Sequence, residues 1–149
     1  MDNDELYQQV ILDHNRHPRN FREMTPCSCQ AEGYNPLCGD HLNVYVRLSE
    51  AGIVEEVSFQ GDGCAISKAS ASMMTAAMQG KTVEDARDLC AQFHRLITKE
   101  LDPGKDVHHL GKLTVFSGIW KYPSRVKCAI LPWHTLKGAL DRKSTVSTE

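Results

Sequence analysis

The spacing of apolar positions changes along the chain and divides it into helical and extended segments. Residues 6–11 place apolar side chains at helical spacing, which predicts an opening amphipathic helix that ends near His14. Apolar and polar side chains alternate over residues 42–48, and residues 53–59 are rich in β-branched and aromatic types, so both are predicted strands. The intervening segment, 50–52, ends in glycine and fits a hairpin turn. A weaker strand is predicted at about 29–34.

The pattern after Gly63 is mostly helical. One helix is predicted over 65–78 and another over 83–97, the latter with Thr82 as its N-cap. Residues 98–123 show no clear pattern. A last helix is predicted to begin around 128–131, because Pro132 is best tolerated near a helix start, or else to run kinked from Ser124.

These elements predict one α+β domain over residues 1–149, with a small antiparallel sheet packed by helices. A chain of 149 residues can bury roughly two-thirds of its unfolded surface in one core. The tail from about residue 143 is polar, so we expect it to be frayed.

Charge and composition exclude several classes of partner. The formal net charge is −2 with acidic and basic residues interspersed, which gives no electrostatic case for binding nucleic acid or a membrane surface. The first five residues are acidic, and no stretch approaches the roughly 20 apolar residues of a membrane span. We therefore expect a cytoplasmic protein whose six cysteines are reduced and serve as metal ligands or reactive thiols.

Three cysteines and one aspartate lie in turn-forming contexts and together make a possible metal-ligand set. Cys38 and Asp40 share the segment 35–40, Cys64 follows two glycines, and Cys128 is preceded by basic residues. Zinc favours a closed shell of soft thiolates with one or two harder donors, which this set would supply. Cys64 and Cys128 are also predicted at helix starts, where backbone N–H groups favour the thiolate.

Packing is the alternative explanation for these thiols, because a lone cysteine is most often a small buried apolar residue. The spacing lacks the paired C-x-x-C units of a zinc ribbon, so spacing alone leaves both interpretations open. Among the other cysteines, Cys90 falls on the apolar stripe of its helix and is predicted to lie in the core. Cys27 and Cys29 are expected to be incidental surface residues outside the site.

Four segments of the sequence resemble the SufU branch of the IscU/NifU N-terminal-domain family of iron–sulfur assembly proteins. They are residues 11–14 with 18–20, 35–40, 61–72 and 125–133. The resemblance implies a SufE/IscU-like α+β fold, with a three-stranded antiparallel sheet packed by helices. It also implies metal bound at Cys38, Asp40, Cys64 and Cys128.

Two departures separate the chain from the housekeeping scaffold branch of that family. Lys127 occupies the position of a histidine that precedes the last cysteine in that branch, and a Lys ammonium is a poor ligand. Residues 121–125 stand where that branch carries a chaperone-binding Leu-Pro-Pro-Val-Lys segment. The stretch from about 93 to 120 resembles the insertion of the SufU branch.

The resemblance implies a zinc-dependent sulfurtransferase that works in iron–sulfur cluster assembly. Cys38 would accept persulfide sulfur from a SufS-type cysteine desulfurase, and Arg125 is a possible supporting residue. The sulfur would pass on to an iron–sulfur scaffold or to apo-protein acceptors. The alternative is a scaffold that assembles and transfers a [2Fe–2S] cluster on the same thiolates.

Overall fold

The structure is a computed structural model that describes residues 3–148, with residue 3 described through its backbone alone. It contains four α-helices, two 3₁₀ helices and four strands within that range. In chain order these are α1 (Asn3–Arg16), β1 (Cys29–Asn35), β2 (Asp40–Leu48), β3 (Val54–Asp62), α2 (Ala65–Met78), α3 (Val83–Ile97), two 3₁₀ helices (Gly111–Phe116 and Ile119–Lys121), α4 (Pro123–Leu140) and β4 (Thr145–Ser147).

The sheet has four strands in the order β3-β2-β1-β4. The three predicted strands are present and antiparallel, and the turn at 50–52 joins β2 to β3 with Gly52 at φ +80°. The sequence-based expectation of a purely antiparallel, three-stranded sheet is wrong, because β4 adds a parallel edge strand next to β1. The α+β class itself is correct.

The C-terminal tail supplies that fourth strand and is therefore not frayed over Thr145–Ser147. Arg142 adopts a left-handed conformation (φ +61°) just after α4, which turns the chain back towards the sheet. Val146 then packs on α4 at Gly138, where a Cβ atom would lie 2.3 Å from the valine Cγ2. Three residues are too few for a periodic pattern, so this pairing is decided by tertiary contacts.

The helices cover the sheet, with α4 against β1 and β2 and α2 against β3. Val44 and Val46 of β2 are fully buried, as the predicted alternation requires. Trp133 of α4 stacks on Phe93 of α3 with ring centroids 4.3 Å apart, and its indole donates to Ser70 Oγ at 3.0 Å. This aromatic pair joins α2, α3 and α4 into one core beside the sheet.

The region without a clear sequence pattern folds as an irregular connection with two 3₁₀ helices. Phe116 contacts Phe93 and Tyr7 edge to face, with ring centroids at 5.5 and 5.8 Å, so the connection ties α3 to α1. The last helix begins at Pro123, five residues before the first of the predicted starts, and continues through Pro132. The alternative start at Ser124 was close to the observed one.

No helix within residues 3–148 combines the length and apolar composition needed to cross a membrane.

The helix pair α3 and α4 carries two neighbouring imidazoles whose packing makes folding sensitive to pH. The rings of His94 and His134 lie 5.8 Å apart, and burial, followed by the charge of His94, lowers the pKa of His134 from its usual value of 6.5. Below pH 6.5 the unfolded chain therefore binds more protons at this residue than the folded chain, and acid favours unfolding.

We predict that His134→Gln weakens the fall in melting temperature between pH 7 and about pH 5.5, with no stability gain at pH 8 from this effect. Melting curves at a series of pH values would measure it, with the exposed His17→Gln as the control. Equal pH slopes for wild type and His134→Gln would contradict the assignment.

Candidate metal centre

The turn between β1 and β2 carries the first two candidate ligands. Asn35 and Asp40 form the last cross-strand pair, and the chain reverses between them with Gly39 at φ +72°, a conformation that favours glycine. The Cys38 thiol is exposed on this turn, whereas the Asp40 side chain is buried at 2% exposure. The Cys-Gly-Asp sequence thus places one donor in solvent and one inside the protein.

Cys64 is the N-cap of α2, as the sequence predicted. Its backbone is extended (φ −69°, ψ 167°), and its sulfur accepts from the Ser67 backbone N–H at 3.4 Å. The Cys64 backbone N–H donates to Asp40 Oδ1 at 2.7 Å. A Cβ atom at Gly63 would lie 3.2 Å from that oxygen and 2.4 Å from Ser67 Oγ, so a larger residue there would require both side chains to shift.

Cys128 reaches the same place from α4, but not from the start of that helix. It is the sixth residue of α4, is buried at 4% exposure, and its sulfur lies 3.4 Å from Cys38 Sγ. The prediction of a helix-start thiolate at Cys128 is therefore wrong. The helix begins one and a half turns earlier, so the free N–H groups of its first turn are not beside this sulfur.

Three of the four predicted ligands form one cluster and the fourth, Cys64, lies next to it, although they come from three parts of the sequence. Donor atoms of Cys38, Asp40 and Cys128 lie within 4.8 Å of one another, and Cys64 Sγ lies 3.9 Å from Asp40 Oδ2. Three sulfurs and one carboxylate oxygen are a donor set that suits zinc in tetrahedral coordination. The same thiolates also suit iron–sulfur clusters.

The pKa values of Cys64 and Cys128, the two less exposed cysteines of the site, are shifted in opposite directions. The hydrogen bond from Cys128, together with the backbone and hydroxyl of Ser67, lowers the pKa of Cys64 to about 6 against the opposing effect of burial. The same hydrogen bond and burial raise the pKa of Cys128. The lowered pKa favours the thiolate at Cys64 and the raised pKa favours the thiol at Cys128, so metal binding at both sulfurs would have to displace the proton of Cys128.

The remaining cysteines lie away from this cluster. Cys90 is in the core as predicted, and burial raises its pKa to about 12. Cys29 is also buried, on β1, so the expectation of a surface position is wrong for it. Cys27 is half-buried beside it. None of the three has a contact with the four candidate ligands among the hydrogen bonds of the described residues.

The basic residues singled out near Cys128 are exposed on the first turns of α4. The Arg125 guanidinium stacks on Tyr122, with its carbon 4.5 Å from the ring centroid, and Lys127 points away from the buried face of the helix. Arg125 also lines a groove of about 580 Å³ formed by α1, the start of α2 and the second 3₁₀ helix. The groove was not predicted from the sequence, because its walls come from distant segments.

Tyr7 lines this groove and connects it to the thiol cluster. Its hydroxyl is buried without a hydrogen-bond partner among the described residues, and burial raises its pKa. Ala65 and Ile66, the two residues that follow Cys64, line the same groove, so it lies beside the candidate metal centre.

A second residue missed by the sequence analysis is Asn35. It lies inside a segment already recognised, but nothing in the sequence indicates what its side chain contacts. The structure places its amide fully buried, 3.1 Å from Asp40 Oδ2 and 3.6 Å from Cys128 Sγ.

Comparisons with known proteins find related sequences along most of this chain. The family model for the NifU-like N-terminal domain matches residues 6–129. The zinc-dependent sulfurtransferase SufU of Bacillus subtilis is 42% identical over 135 residues, which cover 90% of this chain and 88% of that protein. The iron–sulfur cluster assembly scaffold protein IscU of Streptococcus pyogenes is 35% identical over 139 residues, covering 93% and 85% respectively.

Solved structures show the same fold. A crystal structure from Fervidobacterium islandicum, named as a candidate scaffold for iron–sulfur cluster assembly in the SUF system, superposes with a TM-score of 0.81 at 30% identity. The match covers 93% of this chain and 99% of the other.

We predict that Cys64→Ser and Cys128→Ser each lose tightly bound zinc and melt at a lower temperature. Metal bound to the folded state alone stabilises it by about 4 kcal/mol when free zinc is roughly 1,000-fold above Kd. Elemental analysis of the purified variants and thermal melts would measure both effects.

The matched control is the triple variant Cys27→Ser, Cys29→Ser and Cys90→Ser. It should retain about one zinc per chain, although burying hydroxyls at Cys29 and Cys90 should lower its stability. Zinc content that survives in Cys64→Ser and Cys128→Ser, or disappears from a natively folded triple variant, would show that the ligands are assigned wrongly.

Proposed function

Because the chain belongs to the NifU-like N-terminal domain family, we propose that it acts in iron–sulfur cluster assembly as a zinc-dependent acceptor of sulfur from a cysteine desulfurase. The observation that carries the proposal is the unequal exposure of the four donors. Cys38 is exposed on a turn, while Asp40 and Cys128 are buried and Cys64 is fixed at a helix N-terminus. One thiol can therefore meet a partner while three donors stay in place.

The donors fit zinc, as their chemistry and separation indicate. Bound there, zinc would keep the thiols deprotonated and cover Cys38 until a partner docks. Asp40, Cys64 and Cys128 retain the site because strands and helices fix their backbones. Cys38 can swing outward through the glycine-containing turn without disturbing the sheet.

The transfer step needs no added oxidant. The Cys38 thiolate attacks the terminal sulfur of a persulfide on the desulfurase cysteine. The sulfur–sulfur bond of that persulfide breaks as a new one forms on Cys38, and the desulfurase cysteine leaves as a thiolate. The product is a Cys38 persulfide, which an iron–sulfur scaffold or an apo-protein would consume.

The groove beside the site is a suitable contact surface for the desulfurase. Its lining carries one acidic residue, Asp4, and one basic residue, Arg125, and is otherwise mostly apolar. Large apolar and aromatic side chains are exposed to solvent along the groove, with Leu12 at 47% and Tyr122 at 49% exposure. A mainly apolar segment of the partner, with an acidic side chain placed to meet Arg125, would fit these walls and bring its persulfide towards Cys38.

A [2Fe–2S] scaffold is the second candidate function, favoured by the meeting of three sulfurs in one cluster and by relatives named as scaffolds. Lys127 weighs against it. The residue is exposed and replaces the histidine of the scaffold branch with a side chain that binds metal poorly. We therefore place sulfur transfer by a SufS-type desulfurase first.

We predict that Cys38→Ser abolishes stimulation of the desulfurase while keeping part of the zinc, since Cys38 is the exposed ligand and the more firmly held Asp40, Cys64 and Cys128 remain. Turnover of cysteine by the desulfurase, with and without the variant, would measure the loss. In the wild-type chain, mass spectrometry after reaction should locate one added sulfur on the peptide containing Cys38.

Two outcomes would contradict this assignment. Sulfur found reproducibly on Cys64 or Cys128 would show that the acceptor is wrong. Absence of a persulfide, combined with a stable cluster spectrum when iron and sulfide are supplied, would place the scaffold function first.

We predict that Arg125→Ala raises the concentration needed for half-maximal desulfurase stimulation roughly fivefold, equivalent to about 1 kcal/mol, and leaves zinc content unchanged. Titration of the desulfurase with each variant would test this. Lys137→Ala, on a distant turn of the same helix, is the control. If Arg125→Ala and Lys137→Ala need the same concentration for half-maximal stimulation, the groove is not part of the contact surface with the desulfurase.

A further inference from the structure

The C-terminal strand reaches the candidate metal centre through a single buried amide. Asn35 Nδ2 donates to Asp40 Oδ2 at 3.1 Å and to Cys128 Sγ at 3.6 Å. On the other side of the amide, Asn35 Oδ1 accepts a hydrogen bond from the Thr148 hydroxyl at 3.0 Å. The amide thus links the end of the chain to two of the four donors.

The orientation of this amide decides whether it supports the donors or opposes them. With nitrogen towards the site, Asn35 donates to a carboxylate and a sulfur, which are both acceptors when ionised. Rotation by 180° would place the amide oxygen against the same two anions. The Thr148 O–H satisfies the oxygen on the far side and, by polarising the amide, strengthens its N–H groups as donors.

The backbone fixes Thr148 in this position. The Thr148 N–H donates to the Tyr34 carbonyl at 3.1 Å, continuing the pairing of β4 with β1. Val146 packs against α4 at Gly138, which holds the strand to the helix that carries Cys128. The hydroxyl is therefore held by the fold and does not depend on the site itself.

We propose that Asn35 and Thr148 are positioning residues of the metal centre, and that the C-terminal strand orients Asp40 and Cys128 for ligation. This inference rests on the proposed metal-binding function. Residues that hydrogen-bond to metal ligands typically change metal affinity 10- to 100-fold when removed, by loosening the ligand and altering its basicity. Thr148 contacts the ligands only through Asn35, so removing its hydroxyl should lower the metal affinity by about tenfold, near the lower end of this range.

The test compares Thr148→Val, which removes the hydroxyl and keeps the shape, with Thr148→Ser, which retains the hydroxyl. Zinc affinity is measured by competition with a chromophoric chelator at fixed pH, and ligand geometry by the absorption spectrum of the cobalt-substituted chain. We expect Thr148→Val to bind zinc roughly tenfold more weakly and to shift the cobalt spectrum. Thr148→Ser should match the wild type, and Asn35→Ala should lose more affinity than Thr148→Val.

Val146→Ala separates positioning from general stability, because it loosens the packing of β4 but leaves the hydroxyl and the amide in place. Positioning predicts a lower melting temperature for Val146→Ala with near-normal zinc affinity and cobalt spectrum. If zinc affinity falls in proportion to melting temperature in both Val146→Ala and Thr148→Val, the inference is overturned. Unchanged zinc affinity and an unchanged cobalt spectrum in Thr148→Val would overturn it as well.

The same measurements distinguish this inference from the proposed function. A wild-type chain that binds no zinc overturns both. Normal zinc binding that depends on Thr148, in a chain that does not stimulate a desulfurase, would support the positioning role and contradict sulfur transfer.

Discussion

The close packing of α4 against β1 is the contact on which the candidate site depends. Gly33 permits it, because a Cβ atom at this position would lie 2.0 Å from Thr135 Oγ1 on the helix. Cys128 precedes Thr135 by seven residues, about two helical turns, and so lies on the same face of α4. Because α4 packs on Gly33, the earlier turns of the helix place Cys128 next to the end of β1. Asn35 lies at this end of the strand, at the start of the turn that carries Cys38.

The second constraint is the cost of burying an acidic side chain. Asp40 is almost inaccessible, and an unpaired buried carboxylate would strongly destabilise the fold. Its two oxygens instead accept from the Cys64 backbone N–H and from the Asn35 amide. These hydrogen bonds join the β1–β2 turn to the start of α2. The contacts that offset the cost of burying the carboxylate therefore also bring the candidate ligands together.

Local patterns in the sequence were sufficient for much of the fold, and together with the family resemblance they led to the proposed donors. The alternation in β2, the Thr82 cap of α3 and the glycines before Cys64 act over a few residues, and each appears in the structure as predicted. The glycine-containing turn at Cys38 and the helix cap at Cys64 are local in the same way. The identities of the four donors could therefore be proposed before their positions were known.

What the sequence did not reveal depends on contacts between distant residues. Strand β4 is only three residues long and exists through pairing with β1 and packing on Gly138. The bond between Thr148 and Asn35 joins residues 113 positions apart. The raised pKa of Cys128 likewise follows from the sulfur of Cys64, which only the folded chain brings near it.

These distant contacts also explain why one donor differs from the rest. The Cys64 sulfur accepts a hydrogen bond from the first turn of α2, and Asp40 accepts two hydrogen bonds. Cys128 is buried on α4 and accepts a hydrogen bond from Asn35. The Cys38 sulfur has its contact with Cys128 and is otherwise open to solvent on a turn. Sulfur transfer and cluster transfer both require a donor that can leave while the others remain. Under the proposed function Cys38 is the donor that suits this role, because hydrogen bonds and burial hold the other three.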